Sequence, residues 1–452
     1  MNIPQTWTLT QLGNLTAQIV GGGTPSKTSA ANFNGLIPFM TVKDLKARFV
    51  STTVDHISEE ALQSSATTKV PADTLIVATR MSLGKIARPT MDVAINQDLK
   101  ALFLHGGVNK TFVEYFWRSK SQAIQSMGTG TTVKGIRLED IRSLEVPLAP
   151  VAEQKRIADK LDTVLTRVDA VNTRLARVAP LLKRFRQSVL AAATSGRLTE
   201  DWRAVNQINS DWLDKPAQAL KDYVKLDMGF AFKSADFLNE GLRLLRGDNI
   251  EPGGLRWRDA KHIDEDAVRD LGHLMLKVGD LVLAMDRPII SAGLKLARVS
   301  EQDVPCVLVQ RVCKFNCTPS LSKDFLFLVL QGTAFINHLG AVQNGSGVPH
   351  ISGAQILSFK LQLPSADEQT EIVRRVETLF AFADRLEARL AQAQTAATRL
   401  TPALLAKAFR GELVPQDPND EPAAELLRRL QAERASAPKA SAGRGRKAVV
   451  QV

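Results

Sequence analysis

Two stretches of the chain carry residue types that could do chemistry. GGGTPSKT (21–28) approaches a phosphate-binding loop, which needs glycines that free the backbone N–H groups to face an anion and a helix that starts at once. Ser26 stands where the second glycine is required, Pro25 stiffens the cradle, and no periodic helix follows. Asp92, Asp98 and Lys100 imitate the D…D-x-K set of a metal nuclease, but the spacing is cramped, and a second copy of this stretch has Arg311 and Cys313 in place of Asp98 and Lys100. Cys306, Cys313 and Cys317 are an odd number spaced unlike zinc ligands, and six histidines are scattered through the chain; neither disulfide nor metal is expected. There is no Asn-Pro-Pro-aromatic motif for a target base and no glycine-rich methyl-donor loop. The sequence therefore predicts no catalytic and no metal site.

The chemistry that remains is recognition. Lysine and arginine number 58 against 47 acidic residues, a net charge of +11 and a pI near 9.6, which suits a polyanionic partner such as nucleic acid. Base edges are read by arginine at guanine, by asparagine or glutamine at adenine, and by carboxylates at cytosine. Side chains able to make such contacts or to meet phosphates fall at turns and strand ends in two groups. Lys27, Lys43, Arg80, Lys85, Gln97 and Lys134 form the first; Lys233, Arg246, Asn249, Arg287, Gln310 and His350 form the second. The loops MGTGTTVKG (127–135) and QNGSGVPH (343–350) would let backbone amides approach phosphates.

The elements that must position these groups follow from a repeat. Residues 136–198 lie on 351–413 without a gap, setting Glu153-Gln154 on Glu368-Gln369, Asp169 on Asp384 and Gly196 on Gly411. Each copy keeps a 4-3 apolar rhythm: Ile157, Leu161, Val164, Val168, Val171, Leu175 in the first, and Ile372, Val376, Leu379, Ala383, Leu386, Leu390 in the second. That rhythm predicts two long helices with coiled-coil seams. Small residues complement large ones if they pair antiparallel with Val164 facing Ala397, Val168 facing Ala393 and Val178 facing Ala383. The glutamates sit near the positive helix starts, and Gly196 and Gly411 stand where helices end. Pro180 is expected to bend the first helix without stopping it.

Fainter echoes join the segments between the helices. IPFMTVKDL (37–45) matches LRLLRGDNI (242–250), and DTLIVATR (73–80) matches DLVLAMDR (280–287). The chain reads as head, helix, head, helix. From Ile157 to Val189 at ~1.5 Å per residue is a rod of about 50 Å, comparable with a little more than one turn of B-DNA, ~34–36 Å.

With these motifs in view, the chain resembles the DNA-specificity subunit of type I restriction-modification enzymes. The resemblance rests on PLAPVAEQKRIADKLD and LPSADEQTEIVRRVE, on GGGTPSK with IPFMTVKDL, and on AFRGELVPQDPNDEPAAELLRRLQAER near the end. It departs in the SADEQ wording and alanine-rich seam of the second copy and in the basic low-complexity tail (436–452), expected to be disordered.

The resemblance implies an α+β chain of two similar α/β target recognition domains separated by two long antiparallel coiled-coil helices, with a pseudo-two-fold internal repeat. The expected segments are a first recognition domain (1–147), a central spacer helix (148–198), a second domain (199–361), a C-terminal spacer helix (362–413) and a short helix with tail (414–452). It also implies a non-catalytic subunit that reads a split, asymmetric double-stranded DNA target. Two methyltransferase and two nuclease-translocase subunits would dock on it, with S-adenosylmethionine, ATP and magnesium on those partners and no cofactor in this chain. A methylation-only or phage-defence complex, or a bivalent coiled-coil adaptor, is the alternative. No apolar run approaches the ~18 residues of a membrane span and no signal peptide is evident, so a cytoplasmic location is expected.

Overall fold

A computed structural model describes residues 3–130, 134–208, 211–342 and 349–436; parts of the loops 127–135 and 343–350, and the tail from 437, lie outside them. The chain divides into two compact units. One is built from Met1–Leu175 with the chain from Ala393 onward, the other from Ala176–Gln392. Each long helix is thus shared between the units instead of forming a separate segment.

The head of the first unit holds a five-stranded sheet in the order Thr16–Gly21, Leu99–Leu104, Leu75–Ala78, Ile86–Pro89, Phe49–Val50, and a four-stranded sheet in the order Asp55–Ile57, Ile37–Met40, Val93–Ile95, Thr68–Val70. The second head repeats the plan, with Val224–Met228, Val312–Cys317, Leu281–Ala284, Leu296–Arg298 in one sheet and Lys261–Ile263, Leu242–Leu245, Cys306–Leu308 in the other. In both heads the second sheet contains one parallel strand pair: Phe39 faces Ala94 in the first, and Leu244 faces Val307 in the second. The amphipathic runs after the main sheets form paired helices, Lys110–Ser119 with Ser121–Met127 and Lys323–Gln331 with Thr333–Val342. Each head is closed by an antiparallel pair between its entry and exit, Thr8–Gln11 with Glu145–Leu148 and Gln218–Ala219 with Lys360–Leu361.

The exits lead into the long helices, Val151–Thr194 and Ala366–Ala408. The first runs unbroken through Pro180, and Gly196 and Gly411 both take a left-handed conformation with φ +75°, the geometry that glycine meets at least cost.

The repeated Glu-Gln pair has a role that its position near the helix starts did not reveal: it is buried and locks helix to head. Glu153 accepts from the indole N–H of Trp7 at 2.9 Å and from Gln416 at 2.5 Å. Glu368 accepts from Trp212 and Thr199, each at 2.8 Å, and pairs with Arg203. Gln154 accepts the backbone N–H of Asn109 at 2.9 Å, and Gln369 that of Ser322 at 2.8 Å. Asn109 and Ser322 are the N-caps of the two equivalent head helices. One phrase thus fixes two helix starts in each unit.

Near the heads the long helices bury more than a seam. In the first unit Ile157, Leu161 and Leu165 join Leu405, Ala408 and Phe409 around Phe112, Phe116 and Trp117, with the Phe112 and Phe409 rings 5.2 Å apart. In the second, Val189, Leu190 and Ala193 meet Ile372 and Val376 around Phe325 and Phe335. Of the predicted seam, Ile157, Leu161, Val168, Ile372, Val376, Ala383 and Leu390 are buried, Val164, Leu175, Leu379 and Leu386 are half-buried, and Val171 is 45% exposed. The stripe shifts from Val164 towards Leu165 because a helix packing on a whole domain buries a wider face than a 3.5-residue seam.

The helices run antiparallel within each unit. In the first, Arg156, near the start of one, bonds Asp420 beyond the end of the other at 2.6 Å. In the second, Arg375 reaches the Leu198 carbonyl and Asp201 past the end of the first helix. The expected register is overturned. It would set Arg186 opposite Arg375, but Arg186 instead bonds Asp384 at 2.5 Å and Glu387 at 3.3 Å and lies over Phe380. Opposite charges replace a facing arginine pair.

Among the described residues no helix is long and apolar enough to cross a membrane.

Candidate nucleic-acid interface

In the second head a cleft of about 360 Å³ gathers Arg246, Arg287 and Gln310 from the predicted group, and adds Lys295, Arg311, Asp248 and Asp286. It opens where strand ends of the two sheets meet, since Arg246 follows Leu242–Leu245, Asp286 and Arg287 follow Leu281–Ala284, and Gln310 and Arg311 link Cys306–Leu308 to Val312–Cys317. His350 joins from the next segment. Its Nδ1 lies 2.7 Å from Asp286 Oδ1 and its Nε2 2.9 Å from an Arg311 nitrogen. Burial, reinforced by Arg287, lowers the Lys295 ammonium below its ordinary value despite Asp248 and Asp286. The walls are thus cationic, with two carboxylates that orient them, a composition that fits a nucleic-acid groove.

The first head has the same frame. Thr79 N–H donates to the Asp98 carbonyl and Ile136 N–H to that of Thr79, as Met285 donates to Arg311 and Ile351 to Met285. Thr79 therefore corresponds to Met285 and Asp98 to Arg311. The match of DTLIVATR to DLVLAMDR is off by one residue: Arg80 corresponds to Asp286, and Met81 (φ +60°) to Arg287 (φ +45°). A shared aspartate misled the alignment, since Asp73 occupies the left-handed turn position that Gly279 fills in the other copy.

Around this frame Arg80 forms a bridge with Gly135 beside Lys134, and Gln97 accepts from Thr24 at 2.5 Å. Lys100 joins them, its ammonium lowered by burial and by Arg80. Gln97 and Gln310 occupy the same position in the two copies. The GGG run is explained here: a Cβ on Gly22 would lie 1.8 Å from the Ile95 carbonyl oxygen, and one on Gly229 would lie 2.1 Å from that of Val309. These glycines allow two backbones to touch. Of the nuclease-like set, Asp92 accepts from Ala72 N–H and pairs with Lys69, while Asp98 accepts from the Asn96 amide.

Other predicted residues stand apart. Asn249 is buried, accepts from Arg246 N–H at 3.1 Å and donates to the Arg256 carbonyl at 3.0 Å. It repeats the capping by which Asp44 accepts from Thr41 N–H at 2.8 Å, so its amide is not available to a base. Lys43 is ion-paired with Asp55, and Lys27 is exposed in the loop after the glycines. Lys233 edges a neighbouring hollow with Phe230 and Asp264. Lys85 lies along a different concavity of about 890 Å³, with Lys46, Lys120 and Asp169.

Sequence reasoning also missed the fully buried Glu114, which takes Arg48 and Arg88 at 2.8 Å and Arg118 at 3.2 Å, while Arg48 reaches Asp162 on the first long helix. Arg118 is the i+4 neighbour of Glu114, but Arg48, Arg88 and Asp162 are too far away in sequence for any spacing rule to join them.

The family model described as type I restriction modification DNA specificity domain matches residues 4–179 and 272–394. The EcoKI specificity subunit of Escherichia coli K12 is 28% identical over 96% of this chain and 97% of its own length. The EcoBI specificity subunit of Escherichia coli is 30% identical over 73% of this chain and 72% of its own. Two solved chains share the fold. One comes from work on complex assembly and conformational transition of the type I R-M system, with a TM-score of 0.67 at 16% identity, covering 91% of this chain and all of that one. The other is the HsdS subunit from Thermoanaerobacter tengcongensis, with a TM-score of 0.56 at 17% identity, covering 91% and 98%.

Proposed function

The chain belongs to the type I restriction-modification DNA specificity family, and from that premise we propose that it reads a split, asymmetric DNA target, one half with each head, without catalysing any step itself. The observation that carries this reading is the pairing of one frame with two sets of side chains. Hydrogen bonds place Asp98 and Arg311 alike, and Arg80 and Asp286 alike, so equivalent positions carry opposite charge. Heads of one shape with different lining would select different bases, which makes the whole target asymmetric.

The Glu-Gln locks support rigid coupling of each head to the helices, and the length of those helices would set the unread spacer between half-sites. Methyltransferase subunits, with S-adenosylmethionine, would supply the methyl transfer. Nuclease-translocase subunits, with ATP and magnesium, would supply cutting, two of each on one specificity chain. The setting would be the cytoplasm, where the host DNA lies.

The test is reconstitution. The isolated chain should bind duplex DNA with a steep salt dependence, reflecting its charge and released counterions, yet neither methylate with S-adenosylmethionine nor cut with magnesium and ATP. Adding the methyltransferase partner should produce methylation at one bipartite motif. Turnover by the isolated chain would contradict the reading.

A further inference from the structure

We infer that Arg311 is a specificity-determining residue of the second head, its guanidinium held by His350 and Asp286 so as to read a guanine in the half-site which that head contacts. The inference rests on the DNA-reading function proposed above.

Arg311 lies at the tip of the link between the two sheets, in a left-handed conformation with φ +67°. That conformation is uncommon for a residue with a Cβ and persists only where the surroundings over-determine it. Its carbonyl is fixed by the N–H of Met285. Its side chain remains 55% exposed at the cleft while one terminal nitrogen bonds His350 Nε2 at 2.9 Å. His350 Nδ1 lies 2.7 Å from Asp286 Oδ1, and Asp286 Oδ2 stands 4.0 Å from Arg311 Nε.

The same Arg311 nitrogen lies 3.2 Å from His350 Nδ1, so it rests over the imidazole face while Asp286 holds the ring through Nδ1. The carboxylate thus orients the ring on which the guanidinium rests, and Arg311 lines the cleft. A guanidinium fixed by two neighbours loses little rotamer freedom on meeting guanine O6 and N7, the usual bidentate pairing. His350 and Asp286 are positioning residues here. The first head has Asp98 at the same site, so a guanine contact from this position is specific to the second.

The experiment uses complete methylating complexes carrying the wild-type chain, Arg311→Ala, Arg311→Lys, Arg311→Gln or His350→Ala. Methylation is read by sequencing plasmid libraries in which each base of both half-sites is varied. Arg311→Ala should relax one guanine in one half-site by roughly ten- to a hundredfold, with the other half-site as selective as before. Arg311→Gln should move that position towards adenine, and His350→Ala should relax the same position less. A uniform fall over all sequences that Arg311→Lys restores would make Arg311 a phosphate contact and overturn the inference, as would an unchanged motif. A wild-type complex without sequence preference would instead overturn the DNA-reading role itself, and this assignment with it.

Discussion

The indole nitrogen of Trp212 donates to Oε2 of Glu368 at 2.8 Å, joining the entry of the second head to the start of the second long helix. Trp7 and Glu153 make the same bond at 2.9 Å in the first unit. The surroundings differ. Glu368 also faces the buried Arg203, whereas Glu153 faces the neutral Gln416.

That difference predicts unequal mutational costs. Glu368→Gln leaves the Arg203 guanidinium buried without its counter-charge and should destabilise by about 3 kcal/mol or more. Glu153→Gln still offers an acceptor to Trp7 and should cost about 1 kcal/mol. Unfolding followed by tryptophan fluorescence compares the two, and equal losses would contradict the role given to Arg203.

A pH dependence follows at the same lock. Burial pushes the Glu153 carboxyl above its ordinary value, outweighing its bonds from Trp7 and Gln416. The folded chain therefore holds this proton more tightly than the unfolded chain does. Its contribution to stability is full below the unfolded pKa and is lost as pH rises through the raised folded value. Acidifying through that window should stabilise the wild type relative to Glu153→Gln; an opposite slope would contradict the burial argument.

Asn249 gives a test of structure against reading. Asp44 caps the equivalent turn of the first head, so Asn249→Asp should fold and leave the methylated motif unchanged. Asn249→Ala frees two backbone groups and should cost about 1–2 kcal/mol, again without changing the bases selected. A changed base preference in the aspartate variant would return Asn249 to the reading surface.

The sequence made the duplication and the long helices legible, because apolar periodicity and a gapless offset are local signals. It did not reveal the lock at Glu153 or the buried Glu114 cluster, whose partners are brought together only by folding. It placed Arg246, Arg287 and Gln310 in one group by their position at strand ends, and they do share a cleft. It missed Lys295 and Arg311, which ordinary residue types made inconspicuous, and it credited Asn249 with a free amide because capping geometry cannot be read from composition. The helix register failed for a related reason. Large-to-small complementarity favours one register, whereas the charges of Arg186, Asp384 and Glu387 favour another.

The spacer role of the helices can be altered directly. One heptad added after Val171, with a matching heptad opposite it in the second helix, adds ~10 Å to each helix while keeping the phase. Complexes carrying both insertions should methylate targets with about three more unread base pairs and unchanged half-sites. A four-residue insertion rotates all that follows and should impair assembly. An unchanged spacer in an active heptad variant would mean that the helices hold partners without measuring DNA.

The central claim is that each head reads one half of the target by itself. It is tested most directly by exchanging residues 1–147 for the corresponding head of another family member and sequencing the methylated sites in cells that supply the methyltransferase. One half of the motif should change to the donor's bases while the other half and the spacer stay as they were. A motif altered in both halves would show that the heads do not read independently, and would contradict the claim.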